Sequence, residues 1–243
     1  MSTQQLMTNN VSELITKLAS YQMLPRLRRE MIIDQAISSI ESNPEEKTTA
    51  RKHFYAQNQL TDETVIEAWC QHYEMTQQQL ESLAIRQFKI NKFQEITWEH
   101  QVGSYFLQRK NQLDRVIYSL IRTKNAGLAQ ELYFRILEVE QTFAELAKEY
   151  SEGAEAETHG FLGPIALGNA HPMIAQKLLS SKPGQLSAPI KIDEWFVIVR
   201  LEKSIPAQLD DSMRHRLLHE LFETWLHKQM SQVNQPTAVA AQM

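Results

Sequence analysis

The periodicity of the sequence changes at Arg115, and this change limits the folds that the chain can adopt. Before it, apolar side chains recur at helical spacing, and helix-start signals such as Asn43-Pro44 and Thr76 with Gln79 divide the stretch into separate helices. The segment "RVIYSLIR", which begins at Arg115, is rich in β-forming residues and predicts a strand. We therefore expect a helical region followed by a sheet-containing one.

The segments after this strand predict a small α+β domain. Three helices, "AGLAQELYFRILEVE", "TFAELAKEYS" and "PMIAQKLLSS", precede two strands, "APIKI" and "WFVIVRLE". The order β-α-α-α-β-β in so short a stretch is typical of helices packed on a small antiparallel sheet. A last helix, "LDDSMRHRLLHELFETWLHKQM", carries a wide apolar stripe, and we expect it to pack on the N-terminal helices.

Composition excludes several classes of partner. The 243 residues are 42% hydrophobic and 22% charged, as in globular proteins, and the net charge of -4 favours neither nucleic acid nor an anionic membrane. The single Cys70 forms no internal disulfide, which suits a reducing compartment. The N-terminus has no signal-peptide pattern, and no apolar run approaches the roughly 20 residues of a membrane span. The sequence thus predicts a cytoplasmic protein without membrane insertion.

Three ordered motifs identify a family resemblance over residues 114–203. They are "FAELAKEYSEGAEAETHGFLGPIALGNAHP", "LSSKPGQLSAPI" and "FVIVRLE". In order and spacing they resemble the parvulin-type peptidyl-prolyl isomerases, or rotamases. The surrounding helices resemble the layout of the SurA and PrsA kind of chaperone–isomerase. The resemblance implies a folding factor that acts on unfolded or proline-containing polypeptide without a cofactor.

The resemblance also implies a division of the chain. We predict an α+β protein with a helical chaperone-like domain at 1–112, a parvulin-like domain at 113–203, and a C-terminal helix at 204–231 that packs on the N-terminal helices. Residues 232–243 are predicted to form a disordered tail.

The family's substrate groove can be carried over position by position. In the family, two histidines and a Cys or Asp form the polar centre, and Leu, Met and Phe hold the proline ring. The resemblance places the groove of this chain at Tyr118, Gly153, Leu162, Ala170, His171, Ile174, Ile192, Phe196 and Val197. Both histidine positions are replaced, by Tyr118 and Val197, so Tyr118 is the candidate catalytic residue, as a hydrogen-bond donor. A displaced histidine, His159 or His171, is a second candidate for the catalytic role.

Other readings of these residues stay open. Tyr118 on an apolar strand also suits a core or groove-wall residue, and Trp195-Phe196 suits either a binding platform or core. Glu152, Glu155 and Glu157 are expected to form a solvated loop. The pair His215 and His219 has zinc-like spacing but no further ligand pattern, so no metal site is predicted.

Two functions follow from this pattern. One is a peptidyl-prolyl isomerase with an altered and weakened centre. The other is a non-catalytic chaperone or peptide adaptor that uses the same groove, for example for peptides awaiting export. The oligomeric state stays open.

Overall fold

The computed structural model describes the backbone of residues 3–233 and the side chains of residues 11–232. The chain divides into two compact units: residues up to Val102 together with those from Arg214 onward, and Gly103–Met213. The predicted tail at 232–243 lies outside the described residues, except that residues 232 and 233 end the last helix.

The first unit is helical over its described residues. Its helices are α1 (Thr3–Ser20), α2 (Leu24–Ile37), α3 (Pro44–Gln57), α4 (Glu63–His72), most of α5 (Gln77–Leu113) and most of α9 (Asp211–Val233). The predicted start signal at Asn43 is confirmed: its side chain accepts from the backbone of Glu46, while the Glu46 carboxylate accepts from the backbone of Asn43. Thr76 and Gln79 form the same reciprocal pair before α5.

Helix α9 completes this unit through an aromatic cluster, as the sequence predicts. Phe222 is 2% exposed, and its ring centroid lies 6.4 Å from that of Phe93 and 6.2 Å from that of Trp98, both on α5. Glu223 accepts a hydrogen bond from Arg29 of α2 at 2.6 Å. Because the apolar stripe of α9 is buried against α5, the C-terminal helix belongs to the helical core.

The second unit is an α+β fold around one small sheet. Its elements are β1 (Arg115–Thr123), α6 (Ala126–Leu137), α7 (Phe143–Tyr150), β2 (Phe161–Ala166), α8 (Pro172–Leu179), β3 (Ile190–Ile192) and β4 (Trp195–Ile205). The four strands pair antiparallel in the order β2-β1-β4-β3. The predicted α+β class is thereby confirmed.

Strand alternation gives this sheet two differently packed faces. One face contributes Ile121 and Ile198 to a core with the helices α6 and α7, which supply Leu132, Phe143 and Leu146. The other face contributes every second residue from Val116 to Leu120 and from Val197 to Leu201, and packs against Ile174 and Leu178 of α8. We call the second face the groove face.

Two glycines shape the strand β2: Gly160 precedes it and Gly163 lies within it. Gly160 and Gly163 have φ of 83° and 108°, a region that favours glycine. A Cβ on Gly160 would also lie 2.9 Å from the carbonyl oxygen of Leu120 and 2.8 Å from the Cβ of Ala147. The chain therefore approaches β1 closely only because position 160 has no side chain.

Replacing Gly160 with alanine is expected to lower the free energy of unfolding by about 1–3 kcal/mol, because the added methyl overpacks this contact. Urea denaturation measures the loss. Gly184→Ala is the matched control, since Gly184 has a similar φ of 82° but open space where an added methyl would lie, with no neighbouring atom within 4 Å. Equal losses in the two variants would show that backbone strain, not packing, accounts for the effect.

Candidate functional site

The groove face gathers most of the side chains that the sequence assigned to the site. Tyr118, Ile174, Ile192 and Val197 are buried in one apolar cluster. Leu162 and Ala170 are partly buried and pack against it, as does Trp195. A buried apolar floor with partly exposed side chains at its rim suits an apolar segment of an extended peptide.

One of the predicted groove residues, Phe196, lies elsewhere. In the β1–β4 ladder, Val197 pairs with Arg122 and Phe196 pairs with Thr123. Because neighbouring residues of a strand point to opposite faces of the sheet, Phe196 projects from the face opposite to that of Val197. The assignment of Phe196 to the groove is therefore wrong, because neighbouring residues in a strand alternate between faces. His171 is exposed at the start of α8, where its Nδ1 accepts from the backbone N–H of Met173 at 3.3 Å. His159 is also exposed and follows a short 3-10 turn.

Gly153 leaves a space on the groove face that another side chain fills. A Cβ at position 153 would overlap the guanidinium of Arg122. The Nη2 of Arg122 donates to Oε2 of Glu155 at 2.9 Å, and the hydroxyl of Ser151 donates to Oε1 of Glu155 at 2.6 Å. We call Arg122, Ser151, Gly153 and Glu155 the Arg122 cluster.

The expectation of a solvated acidic loop is wrong for one of its three glutamates, Glu155. Glu155 is only 5% exposed, because Arg122 and Ser151 satisfy its carboxylate. Glu152 accepts from the hydroxyl of Thr123 at 2.5 Å and from the backbone N–H of Lys124 at 2.9 Å. These two hydrogen bonds lower the pKa of Glu152, the one from Thr123 most. Glu152 and Glu157 are both exposed.

Trp195 forms an aromatic wall beside the Arg122 cluster. The guanidinium carbon of Arg122 lies 5.5 Å from the centre of the Trp195 ring, and Nζ of Lys124 lies 4.8 Å from it. Lys124 also forms an ion pair with Glu194 at 3.1 Å. Cations over an indole face hold it by electrostatic attraction to the ring. Trp195 is thus held at the rim of the groove face.

The environment of Tyr118 keeps its phenol protonated. Burial raises the pKa of Tyr118, and the negative charge of Glu155 raises it further. At neutral pH the hydroxyl is therefore a hydrogen-bond donor, which is the part that the sequence assigned to it.

This pKa shift predicts a loss of stability in alkali. The folded-state pKa lies above the unfolded value of about 10, so the contribution of Tyr118 is full below that pH and is lost as the pH rises through the folded-state pKa. Tyr118→Phe is expected to reduce the alkaline fall in the free energy of unfolding, measured by urea denaturation at several pH values. Tyr73→Phe, at an exposed position, is the control. The same fall in both variants would contradict the assignment.

Comparison with known proteins identifies the α+β segment. Residues 121–203 match the family model of the rotamase, or PPIC-type PPIase, domain. They form a parvulin-type rotamase domain. Among curated relatives, the chain is 27% identical over 129 residues to the chaperone SurA of Aromatoleum aromaticum, covering 47% of this chain and 29% of that protein. It is 26% identical over 220 residues to the foldase PrsA of Halalkalibacterium halodurans, covering 83% of this chain and 64% of that protein.

A solved structure extends the likeness to the whole layout. The crystal structure of PrsA from Bacillus anthracis matches with a TM-score of 0.51 at 18% identity, covering 86% of this chain and 98% of that one. At this identity the match shows the fold alone, in which helices precede and follow a rotamase domain along the sequence. The chain spans less than two thirds of the length of the two curated relatives.

The rotamase domain departs from the family pattern at the polar positions of the groove. The sequence comparison carried three polar positions onto Tyr118, Gly153 and Val197, but it missed Arg122, whose side chain fills the space at Gly153. One signal was available: Arg122 shares strand parity with Tyr118, so both face the same side of β1. Its ion pair with Glu155, 33 residues away, carried no sequence signal.

The helical unit contains a separate cleft of about 650 Å³. Its lining mixes the apolar Ile33, Ile90 and Phe222 with charged and polar side chains such as Arg86 and His53. Within the described side chains, no group of three His, Cys, Asp or Glu residues is arranged to hold a metal ion. Across the described part of the chain, no helix combines the length and apolar character of a membrane span.

Proposed function

We propose that this protein is a parvulin-type foldase that binds extended, proline-containing segments of unfolded polypeptides on the groove face of its rotamase domain. The observation that carries the proposal is the apolar cluster of Tyr118, Ile174 and Val197, with Leu162 and Trp195 partly buried at its rim. The SurA and PrsA relatives are named as a chaperone and a foldase, which supports the same class of activity.

Prolyl isomerisation requires no nucleophile and few polar side chains. Rotation about an Xaa-Pro bond is slowed by the partial double bond of the amide, with a barrier of about 20 kcal/mol. A site lowers this barrier by holding the proline in an apolar, water-poor groove and by donating a hydrogen bond to the twisted form. In this proposal the apolar cluster holds the ring and the protonated Tyr118 is the donor. With the histidine positions replaced, we expect the acceleration to be modest.

Exchange NMR on an uncharged peptide, acetyl-Ala-Ala-Pro-Phe-amide, tests the proposal. The intact protein is expected to raise the rate of cis–trans exchange and to broaden the proline signals. Leu162→Ser should weaken both effects, because Leu162 packs against the groove cluster. Phe161→Ser is the matched control, since Phe161 is the exposed neighbour on the other face of β2.

The outcomes separate the two candidate functions. Binding without faster exchange would assign the protein to the non-catalytic chaperones or peptide adaptors. Neither binding nor faster exchange at high protein concentration would contradict the proposal. The cytoplasmic location stays a prediction of the sequence, and cell fractionation is its test.

A further inference from the structure

The Arg122 guanidinium has hydrogen-bonding capacity that the protein leaves unused. It carries five N–H donors. Among the described residues, the hydrogen bond to Glu155 engages Nη2, while Nε is buried against its surroundings without an acceptor. A buried donor without an acceptor costs free energy, so it is a natural point for a ligand oxygen to bind.

The location of Arg122 brings this donor to the groove. Arg122 lies directly across from Val197 in the β1–β4 ladder, on the same face as Tyr118. Its side chain is 37% exposed and borders Trp195 at the rim. The guanidinium also occupies the space where a side chain at Gly153 would lie.

The charges around Arg122 indicate the kind of acceptor. Glu155 balances the charge of Arg122, and Glu194 balances that of Lys124, which also lies over Trp195. The rim therefore has donors but little uncompensated positive charge. This favours a neutral oxygen over a carboxylate or a phosphate, since both of these anions need excess positive charge to offset their desolvation.

We propose that Arg122 is a peptide-binding residue that donates a hydrogen bond to a backbone carbonyl of the extended peptide on the groove face. The inference rests on the proposed function, because it concerns the same groove. Glu155 is the positioning residue, since it holds the guanidinium beside Trp195. A backbone carbonyl is present in every sequence, so the contact would secure an extended chain without selecting its side chains.

Peptide titrations of the full chain, followed by amide NMR, test the inference. The probes are acetyl-Ala-Ala-Pro-Phe-amide and its acidic analogue acetyl-Ala-Glu-Pro-Phe-amide, each at low and high salt. We expect similar affinities for both peptides and little change with salt. Arg122→Met should weaken binding of the neutral peptide about tenfold, which is about 1.4 kcal/mol, and Arg122→Lys should lie between.

Two further variants serve as controls, one for loss of the fold and one for the location of the arginine. Arg122→Met leaves Glu155 buried without its cation, so the double variant R122M/E155Q removes both charges and should show the same loss of binding in a folded domain. Arg135→Met is the matched control: Arg135 also pairs with a glutamate and lies over an aromatic ring, but it is on α6, on the other side of the sheet.

Each result has one meaning. Unchanged affinity in both Arg122→Met and the double variant would overturn the inference while leaving the proposed function intact. The same holds if the acidic peptide binds at least about tenfold more tightly and salt abolishes the difference, because Arg122 would then bind an anion. If the unaltered protein binds neither peptide, both the inference and the proposed function fail.

Discussion

Replacing Gly153 with alanine is expected to destabilise the rotamase domain by about 3 kcal/mol, the low end of the cost of breaking a buried ion pair. The backbone is not the reason, because Gly153 has φ −122° and ψ 178°, which any residue adopts. The added methyl would overlap the Arg122 guanidinium and force it away from Glu155. Glu155, 5% exposed, would then be left in the protein interior without its cation and without the hydrogen bond from Arg122.

A mutant cycle measures whether this clash is the cause. In a background that carries Arg122→Ala and Glu155→Gln, the space is empty and no charge is buried, so Gly153→Ala should cost less than about 1 kcal/mol. Urea denaturation of the four proteins gives the coupling. A cost of Gly153→Ala that is the same in both backgrounds would contradict the claim that Arg122 occupies the space at position 153.

The second large effect concerns the helical unit. Phe222→Ala is expected to lower its free energy of unfolding by about 3–5 kcal/mol, because the lost ring leaves a cavity among Phe93, Trp98 and Trp225. Tryptophan fluorescence during urea denaturation reports this directly, since two of these neighbours are tryptophans.

A matched phenylalanine provides the control for Phe222→Ala. Phe134 on α6 is 49% exposed, so Phe134→Ala should cost less than about 1 kcal/mol. A loss for Phe222→Ala no greater than that of Phe134→Ala would contradict the packing of α9 in the helical core. The C-terminal helix would then not be part of the core of the helical unit.

Local signals predicted the elements well, because the residues that start a helix act on their own neighbours. Thr142 shows this: its hydroxyl accepts from the backbone of Glu145, whose carboxylate in turn accepts from the backbone of Thr142, and α7 begins where expected. The strand at Arg115 was also predicted, since its β-forming composition needs no knowledge of the rest of the chain.

The polar centre of the groove face could not be predicted in the same way. Glu155 lies in a glutamate-rich loop, and its burial depends on Arg122 and Ser151, which tertiary folding brings to it. Comparison by position showed that Gly153 lacks the polar side chain of the family. It could not show that the Arg122 side chain fills the space. Phe196 differs, because strand alternation relative to Val197 already placed it on the other face.

The central claim is that the groove face of the rotamase domain binds extended polypeptide, and peptide titration mapped by amide NMR on the full chain tests it most directly. The account predicts that acetyl-Ala-Ala-Pro-Phe-amide shifts the amide signals around Tyr118, Leu162, Ile174 and Val197. The amides of α6 and α7, which cover the opposite face, should change little. Shifts confined to α6 and α7 or to the helical unit, or no shifts at all, would contradict the claim.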